Sequence, residues 1–298
     1  MEQKIHTPVL LKEVIEYLDV KKNKNYIDAT VDGGSVAEAI LEGNGPNGKL
    51  LGIDWDEKLV KEAVGRLEKF SERVDIVHSN FVNIASITKE KNFSNISGIV
   101  FDLGVSNFHF EKSGRGFSFL KEEPLDMRYS PNEQFTMAAD ILNSYSEEDL
   151  ARIIKNYGEE RHFRLISKAI VYSRKKNPFN FTGQLASVIE KVVGRFYKKQ
   201  KIHPATKTFQ ALRIEVNKEL ENIEYVLPKA VELLEEGGRL VVISFHSLED
   251  RIVKNFFRSQ NKIQKIITKK PIIPTIKEIK INPKARSAKM RVLEKINI

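Results

Sequence analysis

The chain has 298 residues, of which 41% are hydrophobic, and a formal net charge of +9. This length suits one large α/β domain, either alone or with a second domain inserted into it. The absence of cysteine excludes disulfides, thiolate metal ligands and a cysteine nucleophile. The sequence shows no signal peptide and no apolar run of about 20 residues, and it therefore favours a cytoplasmic protein.

The first hundred residues alternate between helical and strand-like patterns. The apolar spacing predicts a helix over Leu10–Leu18, and apolar runs predict strands in YIDATV, KLLGIDW, VDIVHSNF and SGIVFDLGVS, with helices between them. Near-continuous apolar strands separated by helices are typical of a parallel sheet that is covered on both faces. The sequence therefore predicts an α/β fold with a mostly parallel sheet.

The alternation stops between Phe108 and Ile202, where the pattern predicts helices and loops and a helix break at Gly158. A helical pattern then runs to Gly237-Gly238, which we expect to end it, and RLVVISF follows as a buried strand. HSLEDRIVKNFFR predicts a last helix with Ser247 as its N-cap. We therefore predict a discontinuous α/β domain, 1–107 with 204–298, that carries an all-helical insertion at 108–203.

Acidic residues end three of the predicted strands, at Asp28, Asp54 and Asp102, and a paired glycine, Gly33-Gly34, follows the first strand. Ligands bind beyond the carboxyl ends of parallel strands, where a carboxylate after the second strand accepts hydrogen bonds from ribose hydroxyls. The turn lacks the third glycine that dinucleotide binding favours, and the chain has no phosphate-loop motif. The pattern therefore favours S-adenosylmethionine, although each feature alone is also typical of a plain turn or a helix cap.

Several stretches spread over nearly the whole chain follow one pattern in order: HTPVLLKEV, YIDAT, DLGVS, RGFSF, PLDMR, YGEER, HPATKTFQALRIEVNKEL, GGRLVVISFHSLEDRIVK and NPKARSAKMRV. Together they resemble the bacterial small-subunit rRNA cytosine-N4 methyltransferases, the RsmH or MraW family. The resemblance implies a class I S-adenosylmethionine-dependent methyltransferase with a helical, RNA-recognising insertion. It also implies N4-methylation of a cytidine in the decoding region of 16S rRNA, with the small ribosomal subunit as partner.

The resemblance also implies which residues contact the cofactor. They are Gly34, Ser35, Val36, Asp54, Phe81, Asp102 and His109. Four positions depart from the family's usual residues: Asp32 and Ser35 replace glycine, Val36 replaces histidine, and His109 replaces glutamine. A left-handed conformation at Ser35 would cost about 1–2 kcal/mol. We therefore expect a functional but loosened cofactor site.

Two residues are candidates for the chemistry. Asp102 is placed to accept hydrogen bonds from the reacting amine, although it is equally suited to contact only the cofactor. His246 follows the buried strand and is suited to orient the base or a phosphate, or to satisfy backbone carbonyls. No histidine spacing suggests a metal site. The candidates for RNA contact are Arg115, Phe117, Arg128, Arg161, His203 and Lys207.

Basic residues cluster in Arg195–Lys207 and in Lys262–Lys295, which suits a phosphate backbone but is also typical of a solvated surface. Two other interpretations stay open. One is a nicotinamide-dependent oxidoreductase, which the missing glycine disfavours. The other is an rRNA-binding assembly factor that has lost catalysis, which Asp32, Ser35 and Val36 suggest. The sequence predicts no membrane association and leaves homodimerisation open.

Overall fold

The computed structural model describes residues 8–198, 202–259 and 264–296. Parts of the HTPVLLKEV motif, of Arg195–Lys207 and of Lys262–Lys295 lie outside these described residues. None of the described helices is long and apolar enough to cross a membrane. The chain forms two compact units, the first made of Met1–Gly104 and Leu220–Ile298, and the second of Val105–Glu219.

The first unit is built on a sheet of seven strands in its described residues. They are β1 Asn25–Asp28, β2 Leu50–Asp54, β3 Val74–His78, β4 Ile96–Asp102, β5 Leu234–Ser244, β6 Gln264–Ile266 and β7 Lys289–Lys295. Their order across the sheet is β3-β2-β1-β4-β5-β7-β6. Strands β1 to β5 pair in parallel, whereas β7 is antiparallel to both β5 and β6. The predicted α/β fold with a mostly parallel sheet is confirmed.

Helices belong to both units. They are α1 Leu11–Leu18, α2 Ser35–Gly43, α3 Glu57–Arg66, α4 Ile84–Glu90, α5 Asn107–Glu111, α6 Ala138–Ser144, α7 Glu147–Asn156, α8 Phe163–Arg174, α9 Thr182–Tyr197, α10 Thr206–Asn217, α11 Glu219–Leu233, α12 Ser247–Ser259 and α13 Ile276–Ile281. Helices α5 to α10 lie in the second unit, and α11 begins at that unit's last residue.

Both faces of the sheet are buried. Tyr26 and Val100 belong to one apolar cluster, whereas their chain neighbours Ile27 and Ile99 belong to another, and all four side chains are fully excluded from solvent. Successive residues of a strand point to opposite faces, so a sheet covered on both sides needs apolar residues at consecutive positions. This explains the continuous apolar runs that marked the strands in the sequence.

The glycine pair expected to end a helix lies elsewhere. Helix α11 ends at Leu233, and Gly237 and Gly238 fall inside β5. The pairing of β5 with β4 shifts register there, because Ile96 pairs with Leu234 but Gly98 pairs with Arg239. Gly237 has a φ of 75°, which suits glycine. The predicted helix stop is therefore wrong, and the pair lies in an irregular stretch of β5 where the register with β4 shifts.

Two features of the C-terminal region also differ from the sequence analysis. Ser247 is the first residue of α12 and not its cap, and the N–H of Glu249 instead donates a long hydrogen bond of 3.5 Å to Nδ1 of His246. The tail, expected only to be basic, supplies β7, whose residues Met290, Val292 and Leu293 are buried. Its alternate lysines and arginines concealed the strand pattern.

The second unit consists of helices and loops in its described residues, with an isolated bridge between Pro124 and Phe181. Its own apolar core includes Leu150, Ile170 and Leu185. The chain divides after Gly104 and after Glu219, whereas the sequence suggested 107 and 203. The second boundary comes later because α10 packs against α6 and α7 of this unit.

Candidate active site

The ends of β1 and β4 are joined by Thr30, a residue that the sequence analysis did not single out. Its Oγ1 accepts a hydrogen bond of 2.7 Å from the N–H of Asp102, and its own N–H donates to Oδ1 of Asp28 at 3.3 Å. The N–H of Ala29 continues the ladder to the carbonyl of Val100. These bonds hold the carboxyls of Asp28 and Asp102 at neighbouring strand ends. The signal for Thr30 was its place in the YIDAT motif.

The glycine turn after β1 contains two left-handed residues, Asp32 with a φ of 47° and Gly34 with a φ of 83°. Ser35 does not have a positive φ, because it is already the first residue of α2. The strain expected at Ser35 is therefore absent, and Asp32 adopts the left-handed conformation instead. Aspartate tolerates that region better than most residues other than glycine.

Asp54 at the end of β2 binds two backbone N–H groups. Its Oδ2 accepts from Asp32 at 2.8 Å and its Oδ1 from Asp56 at 2.9 Å. Helix α3 is capped by Asp56, whose Oδ1 accepts from the N–H of Lys58. Asp54 is therefore not the helix cap, and its carboxylate fixes the glycine turn against the end of the second strand.

The three strand-end carboxyls have raised pKa values. Burial raises the pKa of Asp28 to about 7 and that of Asp54 to about 7, and it holds the pKa of Asp102 well above its usual 3.8. The negative charge of Asp32 acts on all three in the same direction, and that of Glu249 acts on Asp102. Acidic groups thus converge at this end of the sheet.

Two of these carboxyl oxygens lack a hydrogen-bond partner among the described residues. They are Oδ2 of Asp28 and Oδ1 of Asp102, and both are buried. A buried acceptor without a partner is costly, and a buried negative charge is more so. A cation with nearby hydrogen-bond donors would relieve both costs, so the site fits a positively charged ligand such as a sulfonium.

Phe81 and Val36 differ in what their side chains touch. Phe81 follows β3 at a short turn capped by Asn80, and its ring meets Phe101 edge to face at 5.6 Å between centroids. Val36 lies in α2 with its side chain 7% exposed, within an apolar cluster of the core. Val36 thus offers only its backbone to a ligand.

His246 follows β5, whose residue Ile243 pairs with Asp102 of β4. Its Nδ1 accepts from the N–H of Glu249, and its Nε2 lies 3.2 Å from Oε1 of the same residue. Oε2 of Glu249 in turn accepts from the N–H groups of Phe245 and His246, at 2.8 and 3.2 Å. Nε2 of His246 is buried, and despite this approach to Oε1 it makes no hydrogen bond with the described residues. The sequence analysis did not weigh Glu249, whose carboxylate these two backbone bonds hold in place.

The cofactor candidate His109 lies in the second unit, as one ring of an aromatic cluster. It is 4% exposed, with ring centroids 5.0 Å from Tyr129 and 4.9 Å from Phe117. Phe117 is also 4% exposed and stacks on Tyr129 at 5.6 Å. Phe117 therefore occupies a core position and not an exposed stacking surface.

The basic candidates of the second unit also have structural contacts. Arg115 donates to the carbonyls of Arg128 and Tyr129, and Arg128 forms a two-pronged ion pair with Asp126, with Nε to Oδ1 at 2.6 Å.

Three further candidates lie elsewhere in the same unit. Lys207 donates to the carbonyl of Glu159, and the ring of His203 stacks on Phe119 at 4.5 Å. Arg161 is exposed and makes no ion pair with the described residues, so it is the basic candidate most open to an external partner.

A mostly parallel sheet with a reversed strand β7, and an acidic site at the carboxyl ends of β1, β2 and β4, define a class I S-adenosylmethionine-dependent methyltransferase. The model of the MraW methylase family matches residues 3–296, and the chain belongs to that family. The predicted family and cofactor are confirmed.

Relatives named "Ribosomal RNA small subunit methyltransferase H" are similar to the chain along its length. One from Dictyoglomus thermophilum is 48% identical over 98% of this chain and 97% of its own. One from Persephonella marina is 45% identical over 98% of this chain and 99% of its own. A solved rRNA methylase from Streptococcus thermophilus covers 98% of this chain and 99% of its own, at 11% identity and a TM-score of 0.47, which is too low to add to the assignment.

Proposed function

We propose that the protein transfers a methyl group from S-adenosylmethionine to the exocyclic N4 of a cytidine in the decoding region of 16S rRNA, acting in the cytoplasm on the small ribosomal subunit. The observation that carries this proposal is the unpartnered Oδ1 of Asp102, held at the carboxyl end of β4 among other acids. The names of the relatives support a ribosomal RNA substrate. Membership of a methylase family disfavours the oxidoreductase alternative.

The residues around the glycine turn suit the cofactor. When bound, S-adenosylmethionine supplies an electrophilic methyl group on a positively charged sulfur. Asp54 has about four lone-pair positions and gives two to backbone N–H groups, so it keeps acceptors for ribose hydroxyls. Asp28 and Asp102 in their ionised forms stabilise a positive charge nearby. Gly34 allows close approach of the backbone.

Asp102 has the geometry of an acceptor for the reacting amine. The lone pair of a cytosine amine is delocalised into the ring, and positive charge develops on the nitrogen as it attacks. A fixed acceptor that strengthens its hydrogen bond during this change lowers the barrier. Oδ1 of Asp102 is unpaired in the described structure, whereas its backbone N–H is tied to Thr30.

His246 is assigned a positioning role. Nδ1 of His246 accepts from the N–H of Glu249, and the backbone N–H groups of Phe245 and His246 hold the carboxylate of Glu249, so His246 fixes the first turn of α12. The charge of Glu249 in turn raises the pKa of Asp102, after burial and the charges of Asp32 and Asp28. Within the second unit, the exposed Arg161 is the leading candidate for RNA contact, and the unit as a whole is proposed to recognise RNA.

The test is transfer of a radiolabelled methyl group from S-adenosylmethionine to small ribosomal subunits that lack the modification. Fully modified subunits are the control, and mass spectrometry of the nucleosides identifies the methylated atom. We expect label in N4-methylcytidine from unmodified subunits only. Label on another base or atom would contradict the proposed substrate.

The competing candidate is an rRNA-binding assembly factor with weakened catalysis. The observation that favours it is the left-handed Asp32, where the family commonly has glycine. Binding of both S-adenosylmethionine and small subunits without methyl transfer would support this candidate and overturn the enzymatic one.

A further inference from the structure

A cavity of about 250 Å³ lies in the first unit, away from the strand-end site. It is bordered by α12, by β6 and the residues after it, and by β7. Strand β6 is four places from β1 in the sheet, and neighbouring strands lie about 4.8 Å apart, so roughly 19 Å separates the two strands. The cavity is therefore distinct from the proposed cofactor site.

Positive charge dominates the lining. Lys254, Arg258, Lys269 and Arg291 line the cavity, and no acidic side chain among the described residues does. Arg291 is 8% exposed and pairs with Asp250, its Nε lying 2.6 Å from Oδ1. The other three cations make no ion pair with the described residues. Three full positive charges thus face one small space without a counter-charge from the described part of the chain.

The remaining lining strengthens the attraction for an anion. The floor includes Phe257, which is 2% exposed, and Ile266, and apolar walls lower the local dielectric, so charge interactions are stronger there than in water. Oγ1 of Thr268 accepts from the N–H of Val292, which leaves its hydroxyl proton free to donate. Lys254 and Arg258 lie in the second half of α12, whose C-terminus carries about half a negative charge, and the three free cations outweigh it.

We propose that this cavity binds a phosphodiester group of the RNA backbone, an inference that rests on the proposed function. Its volume is below the roughly 300–1,000 Å³ of pockets that enclose a whole small molecule, so it suits a phosphate group better than a nucleotide. Contacts of this kind position RNA without reading its sequence. The site anchors RNA at the β6 edge while methyl transfer takes place at the strand ends.

The test compares two variants with equal loss of charge. The cavity variant carries Lys254→Gln, Arg258→Gln and Lys269→Gln, and the control carries Lys22→Gln, Lys89→Gln and Lys270→Gln at exposed positions outside the cavity lining. Binding of 16S rRNA is measured by filter retention over a range of salt concentrations. One phosphate contact changes the slope of log affinity against log salt by about 0.7 in single strands and 0.9 in duplexes, which is about five- to eightfold in affinity near 0.1 M salt.

We expect the cavity variant to lose about 0.7 to 0.9 of this slope and about five- to eightfold in affinity, while the control keeps a slope close to that of the wild type. Equal changes in both variants would show an effect of net charge and overturn the site. Calorimetric titration with S-adenosylmethionine checks that each variant is folded. The single substitution Arg258→Gln, at an exposed helix end, replaces the triple variant if that variant does not bind the cofactor.

The same samples separate this inference from the proposed function. If the wild type methylates small subunits but the cavity variant binds RNA with an unchanged salt slope, the phosphate site is wrong and the enzymatic function stands. If RNA binding depends on the cavity but no methyl group is transferred, the phosphate site stands and the enzymatic function is wrong.

Discussion

The backbone N–H of Asp32 donates a hydrogen bond of 2.8 Å to Oδ2 of Asp54, and this contact joins the glycine turn to the end of β2. The same contact brings a second acid towards a buried carboxylate. The side chain of Asp32 raises the pKa of Asp54, after burial, and also those of Asp28 and Asp102. A residue that departs from the family pattern thus makes a useful backbone contact and adds an unfavourable charge.

Replacing Asp32 with asparagine should stabilise the protein more at high pH than at low pH. Asparagine keeps the backbone hydrogen bond and tolerates a positive φ, but it removes the charge that repels the ionised strand-end carboxylates. Thermal unfolding should show a Tm a few degrees above that of the wild type at pH 8, since each kcal/mol of unfolding free energy shifts Tm by about 2–4 °C. The gain should be smaller at pH 5.5, where those carboxyls are protonated. The same gain at both pH values would contradict the electrostatic explanation.

The stability of the protein without cofactor should fall as the pH rises from about 4 to above 7. Burial raises the pKa of Asp28 and of Asp54 from 3.8 to about 7, so across this range the folded state binds more protons than the unfolded state. The free energy of unfolding that these two carboxyls contribute is fully present below pH 4 and is lost as the pH rises through 7. Denaturant midpoints measured from pH 5.5 to 8.5 should decrease, and midpoints that rise with pH would contradict the raised pKa values.

A positively charged cofactor should reverse part of this trend. Its charge favours the ionised carboxylates, so S-adenosylmethionine should bind more tightly at pH 8 than at pH 6 and release protons on binding. S-adenosylhomocysteine lacks the sulfonium charge and is the matched control, for which we expect a weaker dependence on pH. Calorimetric titrations in buffers of different ionisation enthalpy measure the protons released.

The sequence predicted most of the parallel part of the sheet because β1, β2, β4 and β5 are buried on both faces and show apolar runs, whereas the edge strand β3 has only partly buried residues. It did not predict β7, where Lys289, Arg291 and Lys295 interrupt the pattern and Arg291 is buried only because Asp250 neutralises it. An ion pair such as that of Arg291 with Asp250 joins residues far apart in the chain, and the local sequence pattern does not show it.

The sequence predicted the part of the candidate site that lies at the ends of the strands. Asp28, Asp54 and Asp102 follow directly from strand pattern and the position of a ligand in such sheets. The left-handed conformation of Asp32 was not predictable, because the sequence pattern did not show that α2 begins at Ser35. Pairing of His246 with Glu249 depends on the first turn of α12, one residue earlier than the cap that Ser247 suggested.

Gly34→Ala should weaken the turn, whereas Gly65→Ala should not. Gly34 has a φ of 83°, and a Cβ there would lie 3.3 Å from Cα of Ala63, so alanine costs about 1–2 kcal/mol of stability. A Cβ on Gly65 in α3 meets nothing within 4 Å, and alanine should stabilise that helix by about 0.5–1 kcal/mol. Urea denaturation measures both, and a Gly34 variant as stable as wild type would show that the turn relaxes freely.

Asp102→Asn tests the proposed acceptor. We expect weaker cofactor binding, because the variant loses one of the carboxylates that stabilise the sulfonium. The backbone bond to Thr30 does not depend on the side chain, and the rate is compared at saturating cofactor. Methyl transfer should fall about 10²- to 10³-fold, the loss typical of removing one group that stabilises transition-state charge. Single-turnover rates with small subunits measure it. A variant that methylates at the wild-type rate would remove Asp102 from the chemistry and leave it a cofactor contact only.

Tyr197→Phe should lower the stability of the second unit and leave the stability of the first unit unchanged. The hydroxyl of Tyr197 donates to Oε2 of Glu160, whose side chain is 2% exposed and whose Oε1 accepts from the N–H of His162 at 2.7 Å. Phenylalanine leaves a buried carboxylate oxygen without this donor, which costs about 1–3 kcal/mol.

Tyr172→Phe is the matched control, because that side chain is 64% exposed, and such surface changes stay within about 0.5 kcal/mol. Hydrogen exchange should show faster opening of α9 in the Tyr197 variant, while the strands β1 and β4 keep their protection. Equal losses of stability in the two variants would mean that the buried contact with Glu160 does not hold α9 in place.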